Sequence, residues 1–195
     1  YRVVVSYDNL IKMYDAKGKI VNGFSPDSFS SDIIKSPVHI RIDGKDYIVV
    51  QLKNGDIKIL NRRGEDRIVV ENKIQYNDNT VYSYLGSFTT SDNQGNLIQI
   101  DTNGNFKRNN LNLSENNMIN VSDDKLIYMS EDILSIKGID VKLPIGRYSK
   151  PKIFNISRNF FVGTTDLNED NIYLFNDSGE LVDGFPIKGL SLIHI

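Results

Sequence analysis

Apolar residues in this chain fall into short runs, each closed by a polar turn, and no stretch of useful length has a helical rhythm. One unit occurs four times: an apolar run, Asp or Asn, two variable residues, and Gly. It reads Ile11-Lys12-Met13-Tyr14-Asp15-Ala16-Lys17-Gly18 and Ile57-Lys58-Ile59-Leu60-Asn61-Arg62-Arg63-Gly64. It returns as Leu97-Ile98-Gln99-Ile100-Asp101-Thr102-Asn103-Gly104 and Ile172-Tyr173-Leu174-Phe175-Asn176-Asp177-Ser178-Gly179. The glycines lie 46, 40 and 75 residues apart, so the last gap has room for one degenerate copy. A strand-and-turn period of about 40 residues predicts an all-β fold of the β-propeller type.

Each unit reads as the third strand of a blade, a tight turn and the fourth strand. Asp or Asn at the first turn position (Asp15, Asn61, Asp101, Asn176) can accept a hydrogen bond from the backbone two residues on. Gly at the fourth position (Gly18, Gly64, Gly104, Gly179) tolerates the left-handed conformation of a type I turn closed by a bulge. The runs before the turns are nearly continuous, which suits strands buried on both faces between neighbouring blades.

The other strands lie outward from these turns. Arg2 to Ser6 and Lys19 to Val21 flank the first unit as second and fourth strands. Val38 to Ile42, the turn Asp43-Gly44-Lys45 and Tyr47 to Leu52 open the next, with Asn54-Gly55 as a two-residue hairpin signal. Val81 to Tyr84 and Ser87 to Ser91 open the third, with Asp92-Asn93-Gln94-Gly95 as the turn. The degenerate unit holds Met118 to Val121, Lys125 to Met129 and Ile133 to Ile136, with Lys137-Gly138 as a shortened turn. The last has Lys152 to Ile156 and Asn159 to Thr164. Asp27 to Lys35 and Leu113 to Asn117 are polar connections.

A second echo checks the register. Lys19-Ile20-Val21-Asn22-Gly23-Phe24 matches Glu180-Leu181-Val182-Asp183-Gly184-Phe185, and the two phenylalanines are 161 residues apart, four periods. A β-sandwich has no reason to repeat at this spacing. A closed ring of six to eight blades would need roughly 240 to 320 residues. At 195 residues the chain is therefore expected to be an open arc of about four to five four-stranded blades, an incomplete ring. Its exposed strand edges predict aggregation or partial unfolding of the isolated chain.

The chain opens at Tyr1, in what reads as the middle of a strand. Its last six residues, Leu190 to Ile195, are what the bases CTG TCT CTT ATA CAC ATC encode, the end of a transposon-based sequencing adaptor. Residues 1–189 are thus expected to form one partial propeller domain, and 190–195 to be a read-through artefact on a fragmentary gene. His194, one of only two histidines, falls in that tail.

Composition narrows the chemistry. Net charge is -2 with both signs scattered, so no basic face for nucleic acid is expected. The basic cluster Lys58, Arg62, Arg63 and Arg67 is interrupted by Glu65 and Asp66 and reads as a solvated hairpin tip. The absence of cysteine excludes disulfides, thiolate metal sites and a cysteine nucleophile. No apolar run approaches the roughly 18 residues of a membrane span. The 22 asparagines and 25 isoleucines are spread evenly, as an AT-rich genome would give.

Three candidate sites follow. Asp101, Asn103 and Asn105 offer side-chain oxygens at alternate positions, as short calcium loops do, but Phe106, Lys107 and Arg108 follow where acidic ligands are needed. The other turns lack that alternation, so no metal is expected there. His39 sits between Val38 and Ile40 on an innermost strand, with Arg41 two residues on and on the same face. That pair could line a central channel as a structural or binding feature, or anchor acid–base chemistry. Tyr82, Tyr84 and Phe88, with Tyr76 nearby, read as packing between blades or as a platform for a sugar or peptide. No Gly-rich phosphate loop opens a helix.

The Tyr14-Asp15-x-x-Gly18 and Phe175-Asn176-x-x-Gly179 units and the phrase Gly184-Phe185-Pro186-Ile187-Lys188-Gly189 resemble bacterial propellers of the quinoprotein-like (PQQ-like) group. With Lys45-Asp46-Tyr47-Ile48-Val49-Val50 and Asn61-Arg62-Arg63-Gly64, they look like uncharacterised envelope proteins that end in a propeller. That resemblance implies a bacterial, extracytoplasmic or cell-envelope setting. Cofactor-bearing quinoproteins carry a blade-locking tryptophan in each repeat; this chain has no Trp, so no quinone cofactor is expected. The leading expectation is a non-enzymatic scaffold for protein or glycan, with the missing blades of its own chain as further partners. The alternative is a carbohydrate-active hydrolase or lyase with carboxylates around the channel mouth.

Overall fold

The structure, a computed structural model, describes residues 2–122, 124–156 and 159–191. His194 and the rest of Leu192 to Ile195 lie outside the described residues. The described chain is all-β, with no helix. Every sheet is an antiparallel meander: one of two strands and four of four strands, each running in sequence order.

The first sheet pairs β1 (Arg2–Tyr7) with β2 (Leu10–Asp15). The second holds β3 (Val38–Ile42), β4 (Lys45–Gln51), β5 (Ile57–Leu60) and β6 (Asp66–Ile68). The third holds β7 (Tyr82–Tyr84), β8 (Ser87–Ser91), β9 (Asn96–Ile100) and β10 (Phe106–Asn110). The degenerate unit is a regular sheet of β11 (Met118–Ser122), β12 (Lys125–Ser130), β13 (Ile133–Ile136) and β14 (Ile139–Lys142). The last holds β15 (Lys152–Ile156), β16 (Asn159–Asp166), β17 (Asn171–Asn176) and β18 (Ile187–Lys188).

Contacts divide the chain into two compact units with separate cores. One is Tyr1–Tyr76, Thr80–Thr90 and Ile98–Asn109; the other is Asn77–Asn79, Ser91–Leu97 and Asn110–Ile195. In the first unit the continuous apolar run of β4 has a direct explanation. Tyr47 and Val49 point to one side, into a layer with Ile59, Phe88 and Ile98. Ile48 and Val50 point to the other, against Ile11, Met13 and Phe24. A strand with an apolar layer on each face loses the hydrophobic–polar alternation. In the second unit Ile127, Leu134, Val162, Tyr173 and Phe175 form the main core.

The Asp/Asn-x-x-Gly turns share one hydrogen-bond scheme. In each, the side-chain oxygen of the first residue accepts the N–H groups two and four residues on, as in Asp15 with Lys17 (2.8 Å) and Lys19 (2.9 Å). The same holds for Asn61, Asp101 and Asn176. The glycine N–H returns to the first carbonyl, 3.0–3.1 Å away, and glycine φ values are positive. Asp92-x-x-Gly95 between β8 and β9 uses the same scheme, so the turn is not confined to the last hairpin of a blade.

Several expected boundaries shift. Lys19 to Val21 is no strand; it contributes a single bridge, Tyr14 to Ile20, and the N–H of Val21 bonds the carbonyl of Met13. The echo at Glu180 to Phe185 repeats this with Phe175–Leu181 and Val182–Leu174, and only later does β18 pair with Asn171 and Ile172. Asn54-Gly55 is not a two-residue hairpin: Leu52 and Asp56 close a longer turn with Gly55 at φ 90°. Among the described residues, the two-residue turns with positive φ at both positions are Asp43-Gly44, Leu85-Gly86 and Lys137-Gly138, whereas Asp8-Asn9 and Glu131-Asp132 have it at the first position alone.

Candidate functional site

His39 and Arg41 stand together as their alternation on β3 requires: both are exposed while Ile40 and Ile42 are buried. The turn Asp43-Gly44 sets Arg41 directly across from Asp46 and His39 across from Ile48. Asp46 is thereby drawn into a cluster. Its Oδ1 lies 2.9 Å from His39 Nε2 and 3.5 Å from an Arg41 nitrogen. Its Oδ2 accepts from Arg62 Nη2, and its main-chain carbonyl accepts from Arg67 Nη1 at 3.0 Å.

Arg67 reaches that carbonyl because the β5–β6 pairing slips one residue. Ile59 faces Ile68 and Leu60 faces Asp66, leaving Arg67 as the extra residue of a bulge. Its guanidinium also lies 5.2 Å from the ring centre of Tyr47. The Asp46 carboxyl is held below the usual aspartate range, first by the His39 hydrogen bond and then by Arg62 and Arg41, against an opposing effect of burial. Asp46 is the carboxylate of a cleft of about 430 Å³ whose other walls are Arg2, Val4, Met13, His39, Ile48 and Arg62. The floor is apolar and the rim cationic.

A second cleft, of about 480 Å³, gathers Asp27, Asp56, Glu65 and Asp66 beside Lys58. Three of its carboxylates are already engaged, Glu65 by the side-chain amide of Asn61 at 2.7 Å. Asp66 meets Lys58 at 2.7 Å; Asp56 meets Lys73 at 2.8 Å and is held below the usual range chiefly by that lysine. A glycosidase's general acid needs the opposite, a carboxyl raised so that it keeps its proton near neutrality.

The turn proposed for a cation uses its oxygens internally. Asp101 Oδ1 accepts from the N–H groups of Asn103 and Asn105, and Oδ2 accepts from Asn105 Nδ2 at 2.8 Å. Asp101 is held below the usual aspartate range by these donors, Asn105 first. Among the described residues no group of three or more His, Cys, Asp or Glu side chains converges as metal ligands.

The aromatic candidates separate. Phe88 is buried and meets Tyr47 edge-on, ring centres 5.0 Å apart. Tyr76 is half-buried, its hydroxyl donating to the Asp56 carbonyl at 3.0 Å. Tyr82 and Tyr84 are half-buried at alternate positions of β7.

Asp46, Arg62 and Arg67 escaped the sequence reading of this site. A two-residue turn at Asp43-Gly44 would have put Arg41 opposite Asp46, a complementary cross-strand pair. Arg67 depends on a bulge that no local signal announces.

Meandering four-stranded sheets repeated at this period, with first strands that approach one another (β3 and β7; β11 and β15), define a β-propeller. Solved structures agree. BBS1N, solved in complex with ARL6DN, matches with TM-score 0.69 at 16% identity, over 97% of this chain and 66% of that one. BamB from Moraxella catarrhalis matches with TM-score 0.57 at 16% identity, over 98% and 64%. The computationally designed Ika8 protein matches with TM-score 0.66 at 14% identity, over 99% and 63%. The chain thus spans somewhat under two thirds of the length of these structures. No protein-family model matches it, and no curated protein is a significant match.

Proposed function

We propose that this chain is a non-enzymatic binding scaffold that engages a protein partner through one end of its blades. The observation that carries this is the cleft beside β3. A carboxylate-based glycosidase needs two cooperating carboxyl groups, roughly 5 to 9.5 Å apart, one of them protonated. This cleft instead offers one carboxylate, Asp46, already engaged by His39 and Arg62, under a rim of cations. A fold neighbour, BBS1N, was solved bound to the protein ARL6DN, which supports the same kind of use. Glycan is the second ligand class within this reading. The resemblance to PQQ-like envelope propellers extends the proposal to a bacterial, extracytoplasmic setting and to further blades of the same polypeptide, but to no quinone.

The test is selection of a displayed peptide library on the folded chain, alongside assay of reducing-end and unsaturated-end release from neutral and acidic polysaccharides. Peptides competing for a single surface, without sugar release, are expected. Sugar release that is lost on removing Asp56 or Asp66 would replace the scaffold with the hydrolase or lyase.

A further inference from the structure

We propose that the cleft beside β3 is a receptor for a glutamate side chain within an acidic, apolar-flanked peptide segment of the protein partner. The proposal deepens the scaffold reading and rests on it.

Charge is the first argument. Arg2 and Arg62 on the wall, with Arg41 beside them, are permanently cationic, against the single charge of Asp46. The partners of Asp46 are turned outward: the side chains of His39, Arg41 and Arg62 are 65%, 62% and 69% exposed, whereas that of Asp46 is 9% exposed. Each guanidinium has five N–H donors, and Asp46 takes one nitrogen of Arg62 at hydrogen-bond range. Donors therefore remain for a second carboxylate, in the forked geometry arginine favours.

Shape is the second argument. Val4, Met13 and Ile48 line the cleft below the cations. An apolar floor with a charged rim matches a side chain whose methylenes precede its charge, and glutamate has the longer stem of the two acidic residues. Apolar neighbours in the segment would extend the same contact. Arg2 lies against this floor, with a nitrogen 3.9 Å from Met13 Sδ.

Fluorescence anisotropy on the full 195-residue chain tests this with the labelled peptide Leu-Glu-Leu-Glu-Leu, its Leu-Gln-Leu-Gln-Leu counterpart and an oligothymidine. The glutamate peptide should bind, and the glutamine exchange should weaken binding by about tenfold or more. Arg62→Gln should weaken it about fivefold or more, with part regained in Arg62→Lys. Because Arg62 also supports Asp46, Arg2→Gln is the second variant; it removes a rim charge that does not touch Asp46 and should weaken binding likewise. Lys107→Gln on exposed β10 should change nothing. Equal binding of the two peptides, indifference to both arginine exchanges, or displacement of the peptide by oligothymidine would overturn the assignment. Library peptides mapping elsewhere on the chain would leave the scaffold standing while this cleft fell.

Discussion

Asn79 donates from its side-chain amide to the main-chain carbonyl of Asn117 at 2.8 Å, while its own Oδ1 accepts the N–H of Ile119 at 2.9 Å. The segment ahead of β7 is thereby fastened to the start of β11. Ser91 Oγ completes the group: it accepts from Asn79 at 2.7 Å and donates to Asn117 Oδ1 at 2.6 Å. All three side chains are buried. Truncating one member strands the others without water, at about 1–3 kcal/mol per orphaned group. Asn79→Ala is therefore expected to cost about 2–4 kcal/mol, read from the urea midpoint. A loss under about 0.5 kcal/mol would mean that the network relaxes freely.

Gly95 and Gly18 separate two roles of one turn position. Both have positive φ, 82° and 74°. A Cβ on Gly95 would collide with the main chain of Leu113, whose N–H bonds the Gly95 carbonyl at 3.3 Å, whereas nothing stands within 4 Å of one on Gly18. Gly18→Ala should cost the conformational penalty alone, about 1–2 kcal/mol. Gly95→Ala should cost at least about 2 kcal/mol more, or leave the chain unfolded. Equal midpoints for the two variants would contradict the close approach.

Leu85 occupies the first position of a two-residue turn at φ 47° and is 67% exposed. Asparagine suits both conditions better. Leu85→Asn is expected to stabilise by about 0.5–1 kcal/mol, measured as a raised thermal midpoint.

Asp46 gives the chain part of its acid sensitivity. Its folded carboxyl lies below the ordinary aspartate value because of His39, Arg62 and Arg41. A depressed carboxyl stabilises fully above its unfolded value and loses that stabilisation as pH falls through its folded value. The Tm of the native chain should therefore drop from about pH 4 downward, and Asp46→Asn should flatten that drop at the expense of the neutral-pH midpoint. An unchanged acid limb in the variant would refute the linkage.

For the Asp101 turn, about 5 mM calcium should leave the thermal midpoint unchanged, because the carboxylate oxygens already accept N–H donors. A calcium-dependent rise that Asp101→Asn abolishes would instead make the loop a cation site.

The repeated turns were legible in the sequence because their requirements are local: an acceptor at the first position and a left-handed residue at the fourth. The degenerate blade was legible by spacing, and its Lys137-Gly138 turn by its glycine. The missing fourth strand at Lys19 to Val21 was not, because strand identity there depends on pairing beyond Ile20 rather than on the residues themselves. The polar network was equally hidden. Thr90, Ser91 and Asp92 resemble an exposed strand end; the returning Asn79 segment satisfies Thr90 and Ser91, while the buried Asp92 carboxylate is held by Gln94 and Asn96 of its own turn. At the cleft, His39 and Arg41 followed from alternation, whereas Arg67 required the bulge.

Neighbours on β4 are strangers in energetic terms. Val49 shares its layer with Phe88, and Val50 shares the opposite layer with Met13. Double-mutant cycles should find Val49 and Val50 nearly additive although they are joined by one peptide bond, with coupling appearing between Val49 and Phe88. For this chain, closeness along the backbone is a poor guide to which substitutions compensate one another; the layer a side chain enters decides it.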